Sequence, residues 1–184
     1  MQTLTTQRLI LRQPKDTDVR DFHEYSTDPY VSNSVGWKPH SQMKESLSIL
    51  HEFATSHSIW AIVDKLTNRM IGTIGLVDDP KRTSPKTKMI GYALHEHFWG
   101  QGLATEAAKA VIEYAFETLQ LDLVSAYHYT YNKKSKSVIA KCGLRYEGVL
   151  RKATLSYQDG QPLDEACYSL TRQEYFQDKQ NFFK

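Results

Sequence analysis

The sequence predicts an α/β fold built on a mixed central β-sheet, and three observations predict it. Short segments with strand-like alternation recur along the chain and outnumber the helical ones. A strongly amphipathic stretch, residues 105–118, lies between two of them, 89–94 and 123–130. A strand, a helix and a strand in that order close as a parallel crossover. Turn residues at Asn68 and at Asp159-Gly160 separate other strand pairs, as in antiparallel hairpins.

In chain order, residues 4–12 alternate around Leu9 and Leu11 and read as a first strand. Asp16 is suited to cap the short helix that follows, with Val19, Phe22 and Tyr25 on one face. Pro29, Gly36 and Pro39 then break the chain into a loop. Ser41 opens a second helix, whose apolar positions Met43, Leu47, Leu50 and Ala54 keep the spacing of one helical face. Residues 58–64 and 70–77 form a hairpin around 65–69, and 78–88 is a polar loop with two prolines. Along 105–118, Ala104, Ala107, Ala108, Val111, Ile112 and Ala115 make the stripe that faces the core. A short helix over 135–142 is ended by Gly143, and two last strands, 146–157 and 163–170, flank Asp159-Gly160.

With 184 residues and no repeat, linker or low-complexity tract, residues 1–184 read as a single domain. The composition, 40% hydrophobic and 24% charged, is that of a globular protein, and a net charge of +2 gives no reason to expect nucleic acid or an anionic membrane. Cys142 and Cys167 stand far apart, which argues against a disulfide framework or a zinc motif and fits a reducing compartment. The first residues are too polar for a signal peptide, and no apolar run reaches the ~20 residues of a membrane helix. A cytoplasmic protein is expected.

The most informative stretch is Trp99-Gly100-Gln101-Gly102-Leu103-Ala104-Thr105-Glu106, between a strand and the strongest helix. Two glycines one residue apart allow a sharp turn that brings backbone N–H groups close to a ligand. The helix start adds unsatisfied N–H groups and the positive end of its dipole, so the segment suits an anion such as a pyrophosphate. It lacks the third glycine of a dinucleotide fingerprint and the Gly-Lys-Ser/Thr of a P-loop. On these residues alone, a merely tight strand–helix turn remains the alternative. Glu106 reads as a first-turn partner of the dipole.

This turn resembles motif A of the GNAT acetyltransferases, Q/R-x-x-G-x-G/A, which wraps the pyrophosphate of coenzyme A. Trp99 stands where Gln or Arg is usual, as in the RimJ/RimL-type branch that acetylates ribosomal-protein N-termini, where W-G-x-G-x-A-T-E-A is typical. Asn132 and Ser135, then Val138, Lys141 and Gly143, resemble the second block, N-x-x-S-x-x-V-x-x-K-x-G-F, with Leu144 in place of Phe. Residues 6–12 match the opening T-x-R-L-x-L-R, and 37–41 resemble W-x-P-x-S. Gly148, Arg151, Asp159-Gly160, Asp164 and Tyr168 follow the branch's C-terminal pattern. The resemblance covers nearly the whole chain.

It implies a GNAT acyl-CoA N-acyltransferase fold and transfer of an acetyl group from acetyl-CoA to a primary amine. That reaction needs a proton acceptor for the amine, a donor for the developing oxyanion and a proton for the departing thiolate. The resemblance places the thioester beside the strand before motif A, with amides at about Ala93, Leu94 and Glu96. The cofactor-binding set it implies is Ala93, Leu94, Trp99, Gly100, Gln101, Gly102, Leu103, Ala104, Thr105, Asn132 and Ser135. Glu96 is the expected base, or else a solvated loop charge. If the strand continues, His95 and His97 face away from it, and one of them could relay protons. Many superfamily members carry a Tyr as the acid where this chain has Ile139, which cannot donate a proton. Ser135 is the expected substitute; its alternative role is to cap the helix after it. Asn132 is expected to hold pantetheine amides rather than to cap a turn.

The expected acceptor is the N-terminal α-amino group of a protein or peptide; a small amine such as an aminoglycoside or polyamine is the alternative, and a non-catalytic acyl-CoA-binding protein a further one. Tyr30, Trp37 and Asp79 are candidate acceptor-binding residues, Asp79 being also a weaker candidate for the base, and Asp78, Asp164 and Glu165 suit a cationic acceptor. Lys133, Lys134 and Lys136 read as a solvated edge that also meets the 3′-phosphate of coenzyme A, with a nucleic-acid patch as the rival. The alternating Tyr127, Tyr129 and Tyr131 suit a strand face as well as base stacking. Tyr175, Phe176, Phe182 and Phe183 are expected to dock on their own domain, though a homodimer would use them too.

Overall fold

A computed structural model describes residues 1–182 of the chain. The strands β1 (Leu4–Thr5), β2 (Leu9–Arg12), β3 (Ile59–Asp64), β4 (Met70–Asp78), β5 (Thr87–Leu94), β6 (Leu123–Tyr129), β7 (Arg145–Leu155) and β8 (Pro162–Thr171) form one mixed sheet, hydrogen-bonded in the order β1-β2-β3-β4-β5-β6-β8-β7. The helices are α1 (Val19–Ser26), α2 (Pro29–Val35), α3 (Met43–Ser56), α4 (Leu103–Glu113), α5 (Lys133–Lys141) and α6 (Arg172–Phe182). The chain packs as two compact units: Met1–Gly75 with Tyr92–Ala107, and Leu76–Gly91 with the described residues from Ala108 onward.

In the first unit the stretch expected to be one strand is two. Thr6 closes a turn, its amide bonding the Leu9 carbonyl at 3.0 Å, so that Leu4 pairs back on Leu11. The hairpin β3–β4 forms as expected, and Asn68 turns it at a φ of 55°. Asp16 does not cap α1. It lies in a 3-10 turn over 16–18 and pairs with His51, whereas Asp18 takes the Lys15 amide at 2.8 Å and both arms of the Arg12 guanidinium.

The expected loop over 29–39 contains α2. Asp28 caps it by accepting from the Tyr30 amide at 2.8 Å, and Gly36 ends it at a φ of 88°. Pro29 was read as a breaker, but it occupies the first helical position, where a missing N–H is harmless. α3 starts two residues after Ser41, whose amide and hydroxyl bond Glu45. Its inward face is Ser46, Ile49, Leu50 and Phe53, and Met43 is exposed. The core of this unit joins Phe22, Tyr25, Val31 and Leu50 to Ala61, Val63, Met70 and Ala93.

In the second unit β5 and β6 pair in parallel over Thr87–Met89 and Leu123–Ser125, as the crossover requires. β8 pairs antiparallel with both β6 and β7, and Gly160 turns the β7–β8 hairpin at a φ of 69°. α4 gives way to a π-helical turn over Tyr114–Thr118. Ala107, Ala108, Val111, Ile112 and Ala115 are buried as expected, while Ala104 is half-buried. The end of the chain is helical, which the sequence reading did not anticipate. Tyr175 on α6 is 1% exposed, stacks on Phe116 with centroids 5.0 Å apart and donates its hydroxyl to Glu117 at 2.6 Å. Phe176 is exposed, and the Phe182 side chain and Phe183 lie outside the described residues. No helix among the described residues is long and apolar enough to cross a membrane.

Candidate active site

In the first unit the glycine turn lies between β5 and α4. Gly100 and Gly102 have φ of 76° and 77°, a region open to glycine and unfavourable to other residues. α4 starts at Leu103, so Leu103, Ala104 and Thr105 lie in its first turn, at the positive end of the helix dipole. Leu103 is buried and anchors the helix start, while Gln101 is exposed and bonds the His97 carbonyl through its side-chain amide at 3.0 Å. Two left-handed glycines followed by a helix start fit a diphosphate, which the backbone can approach closely with donors and a positive dipole end.

Glu106 is held from the other side. It accepts from the Thr6 hydroxyl at 2.6 Å, the Arg8 amide at 2.8 Å and the Arg8 guanidinium at 2.7 Å. Burial alone would raise its carboxyl, but these bonds outweigh burial and keep it below the usual carboxylate range. Arg8 also donates to the Gln101 carbonyl at 2.9 Å. The sequence reading had Thr6 and Arg8 within a matched motif but gave neither a place at the turn. Their signal was the T-x-R spacing, which says nothing of a contact some hundred residues away along the chain.

Ala93 and Leu94 end β5 and are buried. Trp99 uses both its donors within the fold: its amide bonds the Glu96 carbonyl at 3.0 Å and its indole N–H the Leu94 carbonyl at 2.7 Å. It packs against the core and braces the strand end on the glycine turn, so it offers shape rather than a hydrogen-bond donor to a ligand.

The strand does not continue through Glu96, because residues 96–98 form a 3-10 turn. His95 and His97 therefore do not face away from Glu96 in the alternating sense. His95 Nδ1 accepts from the His97 amide at 3.2 Å, the two rings are 4.7 Å apart, and His97 Nε2 lies 3.9 Å from the Glu96 carboxylate. His95 Nε2 is in turn 3.4 Å from Glu24, and its Nδ1 is taken by the His97 backbone N–H, so these contacts give no hydrogen bond from ring to ring. Of the acceptor candidates in this unit, Tyr30 is 72% exposed on α2. Trp37 is partly buried against the core and donates its indole N–H to Ser32 at 3.1 Å.

In the second unit Asn132 caps α5, its Oδ1 accepting from the Ser135 amide at 2.9 Å. This corrects the two capping roles: Asn132 is the cap, and Ser135 is a half-buried residue in the first turn. Lys133, Lys134 and Lys136 are exposed on the same turn.

Asp79 is not an open carboxylate for an amine. Its side chain has no exposed surface, and it accepts from Ser125 at 2.5 Å, the Lys81 amide at 2.8 Å, Tyr127 at 2.8 Å and Arg82 at 3.0 Å. Arg82 reaches Tyr127 and Glu147 as well, and Glu147 accepts from Ser169 at 2.6 Å. Burial would raise the Asp79 carboxyl, yet the bonds from Ser125, the Lys81 amide, Tyr127 and Arg82 prevail and hold it below the usual range. Burial and the Asp79 charge push the Tyr127 phenol up to about 12. Glu165 pairs with Lys81 and Asp164 accepts from the Lys152 amide, while Asp78 pairs with Lys88 but keeps a 95% exposed side chain.

Residues 8–145 match the acetyltransferase (GNAT) domain family. An uncharacterized N-acetyltransferase of Bacillus subtilis, YoaA, is 31% identical over 92% of this chain and 96% of its own. The ribosomal protein uS5-alanine N-acetyltransferase of Escherichia coli is 26% identical over 94% of this chain and 92% of its own. Among solved structures, Mycobacterium smegmatis RimJ in complex with CoA-disulfide aligns with a TM-score of 0.77 at 22% identity, over 94% of this chain and 88% of that one.

Proposed function

The chain belongs to the GNAT acetyltransferase family and is an acetyl-CoA-dependent N-acetyltransferase, and from that premise we propose that its acceptor is the N-terminal α-amino group of a protein. One observation carries the choice of acceptor: the similarity to the uS5-alanine N-acetyltransferase runs over 94% of the chain. It thus includes the parts outside the cofactor motifs, where acceptor specificity resides.

When bound, acetyl-CoA supplies an acetyl group activated as a thioester. The chain's own residues would then divide the remaining work. The amides after Gly100 and Gly102 hold the diphosphate, with Leu103 and Trp99 fixing the turn. Glu96 accepts the proton that the acceptor ammonium must lose and passes it to solvent, to which its side chain is partly exposed. The amine nitrogen forms its bond to the carbonyl carbon as the carbon–sulfur bond breaks, and Ser135 provides the proton for the thiolate, since Ile139 cannot. Asn132, whose carbonyl oxygen caps α5, stands at the position assigned to pantetheine. Tyr30, exposed on α2, and Trp37, just after that helix, are assigned to the acceptor side.

The test is a competition between acceptors, read by site-mapping mass spectrometry. A peptide with a free N-terminal alanine and an internal lysine is mixed with the same peptide acetylated at its N-terminus and with spermidine, in the presence of acetyl-CoA. The expected product is the first peptide carrying one acetyl group on its α-nitrogen. Acetylation of spermidine or of the lysine in preference to the α-nitrogen would overturn the choice of acceptor.

A further inference from the structure

Glu106 poses an electrostatic problem. It places a carboxylate in the first turn of the helix whose N-terminus is to hold a diphosphate, where like charges repel. The structure answers it locally. Arg8 pairs with Glu106 through Nε at 2.7 Å and through its own amide at 2.8 Å, while Nη1 holds the Gln101 carbonyl at 2.9 Å between the two glycines. Nη2 of the same guanidinium lies 3.6 Å from where a Cβ on Gly102 would stand, on the face of the turn that a side chain there would occupy. The Arg8 side chain is 44% exposed against 17% for Glu106, so the cation lies toward solvent and the carboxylate behind it.

We propose that Arg8 is a positioning residue for coenzyme A binding: it neutralises Glu106 and presents a positive edge at Gly102, so that the turn attracts the diphosphate. The inference rests on the turn being the diphosphate site. It assigns opposite signs to the two partners of one ion pair, which a purely structural bridge does not do. If the pair only braced the turn, breaking it from either side would weaken binding alike.

Acetyl-CoA is titrated by calorimetry into the wild type, Arg8→Ala, Arg8→Lys, Glu106→Gln and the double variant Arg8→Ala/Glu106→Gln, at low and high salt. Arg8→Ala is expected to weaken binding about tenfold, the scale of a partly buried charge at a helix terminus. Arg8→Lys, which keeps the charge but loses the fork, falls between. Glu106→Gln binds as well as the wild type or better, and the double variant recovers most of the loss at low salt. Equal weakening by Arg8→Ala and Glu106→Gln, or no effect of Arg8→Ala on a wild type that binds, would overturn the inference. A wild type that fails to bind would instead remove the turn as the donor site. Thermal unfolding of each variant shows whether a loss of binding is a loss of fold.

Discussion

Replacing Glu96 with Gln is expected to lower turnover about a hundredfold or more, the usual contribution of a positioned general base, while leaving the dissociation constant for acetyl-CoA unchanged. Glu96 lies two residues beyond the end of β5, outside the strand ladder, and its contact with His97 is 3.9 Å, too long for a hydrogen bond. The proposed role of its carboxylate is to take the proton of the amine. The amide side chain keeps the size and loses the basicity. Steady-state rates across pH, with calorimetry for the donor, check both halves. Unchanged turnover would take the base away from Glu96, and a weakened donor complex would make it a binding residue.

Asp79→Ala is expected to lower stability by about 3–5 kcal/mol, the loss seen when one partner of a buried charged pair is removed. The substitution strands Arg82, Tyr127 and Ser125 around an empty position, with Glu147 and Ser169 linked behind them. The direction with pH follows from the lowered carboxyl. The folded chain binds the Asp79 proton less readily than the unfolded chain, so this stabilisation is complete above the ordinary carboxylate range. It is lost as pH falls through the lowered value. Chemical denaturation at neutral and acidic pH checks this, and the gap between wild type and variant should narrow in acid. A variant as stable as the wild type but with a raised KM for the amine would restore Asp79 as an acceptor contact.

Much of this was legible because it is local or periodic. The crossover from β5 through α4 to β6 announced itself by one long apolar stripe between two strands, and both hairpins by Asn68 and Asp159-Gly160. The glycine turn was legible because positive φ leaves few other residues a choice. What failed was the reading of residues whose role depends on neighbours distant in sequence. Asp79 resembles a solvated loop acid until Ser125 and Tyr127 on β6 close over it. Pro29 signals a break unless Asp28 is seen to cap, and Asn132 and Ser135 exchange capping roles over three residues. Arg8 and Glu106 gave no sign of each other, since their pairing exists only once the turn between β1 and β2 meets the start of α4.

The measurement that bears most directly on the donor site is calorimetric titration of acetyl-CoA into the wild type and Gly102→Glu, in buffer low in phosphate. At a φ of 77° a glutamate is strained, and it adds a negative charge to the proposed diphosphate turn, beside Arg8 Nη2. Micromolar binding by the wild type that falls at least about a hundredfold in a folded variant is the predicted result. Equal binding by the two proteins, or none by the wild type at millimolar acetyl-CoA, would contradict the assignment of this turn to coenzyme A.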